Sequence, residues 1–350
     1  MADLPARPDL DQLRHQARDL LRAAQRGDRD VIARIRAVSG RLILSSAQLA
    51  LAREYGFASW AKLKLEVERR DVLNSRDLSR LTRLLAEHPE LATTKMEHWC
   101  DHKQGADLLG YMAMLRFDHD RLGLPRKLPG TGAVARALIE AGAPVNGRPG
   151  DKETPLITAA SYGDAEVAQV LIEAGADIEA VSAPDSGGAP SCNALVHAAV
   201  FGMTDVLDVL VAAGARITSL EQAAAAGDIT GWPLARFTLQ SRIRALVFAA
   251  DHQRLDVIDQ LVEAGTPLNE PDAEWERLPL HTAAGNGQAA SVRRLLAHGA
   301  DPNLRDPKHH RTPLEECQPA SISRGHREVE AILRPLTGHG GKQTPQPRGS

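Results

Sequence analysis

Three stretches of this 350-residue chain carry side chains that could do chemistry. The first is Glu97-His98-Trp99-Cys100-Asp101-His102, where two imidazoles and a thiol are potential zinc ligands. Alternating spacing puts all three on one side of the backbone only in a strand. It also matches none of the usual zinc spacings, so the stretch reads as a connecting finger rather than a metal site. The second is the Gly- and Pro-rich insertion 118–132 (DHDRLGLPRKLPGTG). A phosphate loop needs G-x-x-x-x-G-K-[ST], but here Lys127 precedes the glycines and the signature is absent. Its glycines and prolines predict no regular structure. The third is a helix, a turn at Gly56 and a second helix bearing Lys62, Lys64, Arg69 and Arg70, the outline of a DNA-reading helix-turn-helix. Residues 1–71 hold 14 Lys and Arg against 10 Asp and Glu, a modest basic excess without a base-reading pattern. The favoured reading is a cap on the remaining fold, with its charges in water.

No nucleophile motif, metal signature or dinucleotide fingerprint stands elsewhere. The favoured reading is therefore a protein without catalysis, with no cofactor and no metal, though a missing motif does not by itself exclude an enzyme. Cys100, Cys192 and Cys317 are odd in number, far apart and free of CxxC, the pattern of a reducing compartment. A formal net charge of −3 gives no global field toward nucleic acid or membrane. The N-terminus lacks the apolar core of a signal peptide, and no run approaches a membrane span, so the expected location is cytoplasmic.

The elements that must position any site are clearest between Glu153 and Ala180. Thr154 can cap a first helix, with Pro155 at its first position, where a missing N–H costs nothing. Gly163 ends that helix, Asp164 caps the next, and Gly175 ends the second, since glycine tolerates a left-handed C-terminal cap. One such pair cannot bury its apolar face alone and needs copies beside it. Copies open at Ala194, Ala245 and Pro279 and close at Gly214, Gly265 and Gly299. Each keeps the 20-residue interval of Pro155 to Gly175, whereas the gaps between them are 19, 31 and 14 residues. A constrained helix pair with variable connections is what stacking demands.

Thr154-Pro155-Leu156, Leu278-Pro279-Leu280-His281-Thr282-Ala283, Ala174-Gly175-Ala176-Asp177 and His298-Gly299-Ala300-Asp301-Pro302-Asn303 together resemble ankyrin repeats. The likeness extends to the N-terminal region, which is similar to segments that open many bacterial ankyrin-repeat proteins and brings no activity with it. The resemblance implies an all-α solenoid of about six to seven helix pairs, some degenerate. Residues 1–72 would be a helical cap, 73–337 the repeats and 338–350 a disordered tail. Within it, residues 219–240 read as a truncated repeat plugged by Trp232. His281 takes the histidine of the repeat pattern, bonded to backbone, while His309 and His310 sit in a solvated finger turn. His197 faces either the groove or the next helix.

The expected function is recognition of a protein partner through a concave groove and finger tips. An enzyme or small-ligand site beside the 118–132 insertion is the alternative, and a nucleic-acid-linked role for the N-terminal helices the third. In an ankyrin stack the two residues after the Ala-Ala pair end the first helix and face the groove, half exposed. Here they are Ser161-Tyr162, Val200-Phe201, Asp251-His252 and Gly285-Asn286. With Trp275 in the adjoining finger, the expected partner-binding residues are Tyr162, Phe201, His252, Trp275 and Asn286, because exposed aromatics give large contact area at low entropic cost.

Overall fold

The computed structural model describes residues 4–5, 7–96, 107–125, 128–317 and 324–337. The expected finger at His98–His102, Lys127 and the 338–350 tail lie outside the described residues. Among those described, every regular element is helical, and an isolated β-bridge joins Val181 to Asn193. Among the described residues no helix is long and apolar enough to cross a membrane. The chain divides into two compact units, Met1–Ala194 and Leu195–Ser350.

Unit one opens with α1 (Leu10–Gln25), α2 (Arg29–Arg36), α3 (Leu44–Glu54) and α4 (Trp60–Ser75). Asp9 starts α1 by accepting the Gln12 N–H at 2.6 Å, and Asp28 starts α2 on the N–H groups of Asp30 and Val31. Leu13, Ala17, Leu51, Leu63 and Val67 form one small core, and Ala24, Ile35, Ala47 and Ala50 another. Helix α5 (Leu78–Glu87) follows, ending in a 3-10 turn at Pro89–Ala92. Its Leu81, Leu84 and Leu85 point inward, whereas Leu78, at the first helical position, is 42% exposed.

Arg69 and Arg70 are not among solvated charges. Both are buried, Arg70 to 1% exposure, because Glu66 sits one turn back on α4 and is buried with them. Its Oε1 accepts from Arg70 Nε at 2.8 Å, and its Oε2 accepts from Arg69. Arg69 also donates to the Thr94 carbonyl at 2.9 Å and the Lys95 carbonyl at 3.3 Å. These cations tie α4 to the chain beyond α5 and are closed to a phosphate backbone.

The rest of unit one contains α6 (Leu108–Met114), α7 (His119–Leu122), α8 (Thr131–Glu140), α9 (Pro155–Tyr162) and α10 (Ala165–Glu173). The 118–132 insertion is thus more ordered than its glycines and prolines predict: α7 lies inside it, and α8 already starts within it at Thr131. Glu166 of α10 explains that early start. Its Oε2 accepts the N–H groups of Gly130 at 2.9 Å and Gly132 at 3.3 Å, supplying a carboxylate cap from the neighbouring helix. A Cβ at residue 132 would stand 3.0 Å from the Glu166 carbonyl oxygen, so glycine permits the close approach. Thr154 caps α9 through the Ile157 N–H, and Asp164 caps α10 through Val167, as the sequence predicts.

Unit two contains α11 (Ala194–Val200), α12 (Thr204–Ala212), α13 (Leu220–Ala226), α14 (Leu239–Asp251), α15 (Leu255–Glu263), α16 (Pro279–Gly285), α17 (Ala289–Ala297), α18 (Pro313–Glu316) and α19 (Arg324–Leu333). The truncated repeat is as expected. Where α13 should have a second helix there is only a 3-10 turn at Leu234–Arg236. Trp232 packs on the core and meets the Phe237 ring at 5.8 Å. Gly175, Gly214, Gly265 and Gly299 end helices at φ 87°, 88°, 78° and 93°.

A recurring lock joins the helix pairs. The last carbonyls of a helix have no partner within it, and here a side chain from another pair in the same unit fills the role. Arg116 Nη1 donates to Gly163 O at 2.8 Å in unit one. In unit two, His252 Nε2 bonds Ala199 O at 2.9 Å, Arg254 Nε bonds Ala225 O at 2.7 Å and Gln288 Nε2 bonds Asp251 O at 2.8 Å. His326 Nε2 bonds Gly285 O, also at 2.8 Å.

Candidate partner-binding cleft

Two successive fingers of unit two are built by the same device. Asp272 Oδ1 accepts the N–H groups of Glu274 at 3.1 Å and Trp275 at 2.8 Å, while Oδ2 accepts that of Arg277 at 2.9 Å. Asp306 repeats this with Lys308 at 2.9 Å, His309 at 2.6 Å and Arg311 at 2.7 Å. Glu276 and His310 take the left-handed turn position, at φ 55° and 54°. Trp275 and His309 thus occupy equivalent places in consecutive fingers.

Between these fingers and α16 lies a cleft of about 570 Å³, lined among others by Trp275, Arg277, His281, Asn286, His309 and Glu316. Trp275 is half-buried and firmly held. Its ring lies 6.0 Å from that of Phe248 and 4.7 Å from the Arg277 guanidinium, with Arg244 5.5 Å away on α14. Arg244 is itself paired with Glu274. His281 Nε2 bonds the Arg311 carbonyl at 2.9 Å, as the repeat pattern implies, and burial pushes its pKa down. His309 and His310 are exposed, as expected.

The expected binding strip is only partly a surface. Asn286 is exposed on the cleft wall, its Nδ2 anchored 2.6 Å from Asp251 Oδ1. Phe201 is 37% exposed, its ring 6.0 Å from that of His197. His197 itself is fully buried. Tyr162 belongs to unit one, where it is half-buried against Phe117 at 5.2 Å. His252 departs from the expectation of half exposure: it is 1% exposed. Its Nε2 donates to the Ala199 carbonyl, and its Nδ1 is 2.9 Å from Thr204 Oγ1. The truncated repeat explains the departure. With no second helix behind α13, the end of α14 reaches back to α11 and α12, where Arg254 also pairs with Asp208. Burial lowers the His252 pKa and raises that of neighbouring Asp251, whose anion His252, Asn286 and Arg277 partly restore.

Asp306, His309 and Glu316 bring three potential metal-ligand atoms within 4.8 Å of one another. Burial works against the Asp306 anion, but its backbone N–H donors outweigh that and hold its carboxyl below the usual range. Arg311 lies 3.5 Å from Glu316. Asp306 is the builder of the turn, and the cluster reads as a finger lock.

Sequence reasoning missed Phe117, which is 69% exposed beside Tyr162, and the Arg244–Phe248–Arg277 clamp around Trp275. The available signal was the repetition of Asp272-Ala273-Glu274-Trp275-Glu276-Arg277 in Asp306-Pro307-Lys308-His309-His310-Arg311.

Helix pairs with proline-started first helices, glycine-ended second helices and aspartate-built fingers define a helical repeat protein. A family model described as ankyrin repeats (3 copies) matches residues 130–221 and 235–333, and the chain belongs to that family. It is 31% identical over 213 residues to the Caenorhabditis elegans ankyrin repeat and KH domain-containing protein mask-1, covering 57% of this chain and 8% of that protein. It is 36% identical over 89 residues to the Drosophila melanogaster E3 ubiquitin-protein ligase Ufd4, covering 25% and 3%. It is also 36% identical over 67 residues to the Kluyveromyces lactis palmitoyltransferase AKR1, covering 19% and 9%. The chain thus spans less than a tenth of each of these relatives. All three are eukaryotic, and the likeness of the N-terminal segment to bacterial members stays an expectation from sequence. The crystal structure of the human ASB11 ankyrin repeat domain is similar at 21% identity and a TM-score of 0.31, covering 67% of this chain and 99% of that one.

Proposed function

We propose that this chain is a non-enzymatic module that binds a protein partner through unit two. The partner sits in the cleft edged by Trp275, Asn286 and His309 and against the adjoining finger tips. Ankyrin repeats are generally protein–protein interaction modules, which sets the class. The observation that carries the location is Trp275. Helix-pair stacking does not require a tryptophan in a finger, yet this one is held by Phe248, Arg244 and Arg277 at the cleft edge. A rigid aromatic offers contact area without losing much side-chain freedom on binding. In this reading Phe201 is a further exposed ring of unit two, and His252 is a strut that supports the surface without touching the partner. Residues 1–72 cap the repeats of 73–337.

The test compares capture of the partner from a lysate of the native cell by the full chain and by Trp275→Ala and His309→Ala. Trp275→Ala is expected to weaken capture at least tenfold, about 1.4 kcal/mol, with helical content retained. His309→Ala, at an exposed position, gives a second readout if the first variant loses structure. Folded variants that both capture the partner at wild-type affinity would place recognition elsewhere.

A further inference from the structure

We propose that the cleft of unit two contains a carboxylate-binding subsite built on Arg277, and that the bound partner presents an Asp or Glu side chain to it. This deepens, and rests on, the reading of the cleft as the interface.

The Arg277 guanidinium lies 4.7 Å from the Trp275 ring centroid and 5.4 Å from that of Phe248. The two rings are themselves 6.0 Å apart and tilted, so the guanidinium packs against both in a triangular cluster held by cation–π attraction. Its Nε and Nη2 are buried and have no hydrogen-bond partner among the described residues. Buried donors are nearly always satisfied, and an unsatisfied one costs about 1–3 kcal/mol, more when charged. Unmet donors on a planar guanidinium suit bidentate pairing with a carboxylate or phosphate, and because Nε and Nη2 are enclosed, the incoming carboxylate must displace the side chains that cover them.

Neighbouring carboxylates do not fill this role. Asp272 is committed to three backbone N–H groups of its turn. Asp251 accepts from Asn286, and Glu274 is paired with Arg244. They act on Arg277 through space, while burial pulls its pKa below the ordinary arginine value. The charge lining the cleft selects between the two anions. Arg277, Lys308 and Arg311 stand against Glu276, Asp306 and Glu316. A phosphate dianion would face three carboxylates in one small space. A single carboxylate supplies one negative charge at a guanidinium whose Nε and Nη2 have no hydrogen-bond partner among the described residues, and Trp275 offers an apolar wall for the methylenes behind it. A volume of about 570 Å³ suits a few residues of an extended segment.

The experiment uses the full chain and an array of 12-residue peptides with degenerate flanks and a fixed central Glu, Gln, phosphoserine or Lys, all amidated. A further arm has a neutral centre and a free C-terminal carboxylate. Wild type is expected to retain the Glu peptides about tenfold better than the Gln peptides. Arg277→Gln should abolish that preference. Arg277→Lys should keep a fraction of it, since lysine supplies charge without the bidentate fork. Equal retention of Glu and Gln, or a Glu preference that survives in folded Arg277→Gln, would overturn the proposal. Stronger retention of phosphoserine would replace carboxylate by phosphate, and binding confined to the free C-terminal arm would replace the side chain by a chain end. The two readings fail separately. If Arg277→Gln captures the partner normally but Trp275→Ala does not, the interface stands and the carboxylate subsite falls. If Trp275→Ala also captures it normally, the interface falls.

Discussion

His252→Ala should unfold unit two more easily rather than spoil a binding surface. The imidazole is 1% exposed and joins the end of α14 to two groups of an earlier helix pair. The Ala199 carbonyl can only accept, so Nε2 carries the proton, and neutral Nδ1 accepts from the Thr204 hydroxyl at 2.9 Å. Truncation leaves one helix-terminal carbonyl and one hydroxyl without partners, about 1–3 kcal/mol each, beside the cavity of a lost ring. The expected cost is about 3–5 kcal/mol, read as a lowered midpoint in urea unfolding followed by circular dichroism. His252→Gln retains one amide donor and should cost about half as much. The pH dependence adds a second signature. Burial holds the His252 pKa below 6.5 despite the nearby Asp251 and Asp208, with Arg254 adding to the shift. The unfolded imidazole therefore takes a proton at a higher pH than the folded one. The stability is full above the ordinary histidine value and is lost as pH falls through it. His281 shifts in the same direction and Asp251 in the opposite one, so the readout is the difference between wild type and His252→Gln, which should have the flatter profile. An unchanged midpoint in His252→Ala with lost partner binding would refute this reasoning and return His252 to the surface.

Glu66→Ala should destabilise unit one by about 3–5 kcal/mol, because it strands Arg69 and Arg70 as buried, uncompensated cations; an unchanged thermal midpoint would contradict the burial. For the same reason, mobility-shift titration of the intact chain should show no sequence-specific, salt-sensitive DNA complex that depends on these arginines. Gly299→Ala should cost about 1 kcal/mol, since its φ is 93° but its Cβ would meet nothing. Gly325→Ala should cost distinctly more, because its Cβ would stand within contact of the Gly287 carbonyl; equal melting shifts for the two would count against that packing.

The repeat boundaries were legible because their causes are local. Thr154, Pro155, Gly163 and Gly175 act on backbone within one turn of themselves, and the 20-residue interval follows from that chemistry. What failed depends on neighbours distant in sequence. Arg69 and Arg70 look solvated until Glu66 is buried with them. Gly132 looks like loop until Glu166 caps it. His252 occupies a column that should be half exposed, but the missing helix after α13 lets the repeat close over it. The cleft was partly readable, since register marked Asn286 and a tryptophan in a finger turn marked Trp275. Arg277 was not, because an arginine in a polar turn carries no sign that two aromatic rings, one of them 29 residues earlier at Phe248, will clamp it.

Hydrogen exchange of the full chain, free and saturated with its captured partner, tests the location of recognition most directly. Backbone amides of the two fingers, around 272–277 and 306–311, and of the end of α16 at Gly285 and Asn286, should gain protection in the complex. The amides of α1–α4 should change little. Protection confined to the N-terminal helices or to the 118–132 stretch, with the two fingers exchanging as in the free chain, would contradict the account.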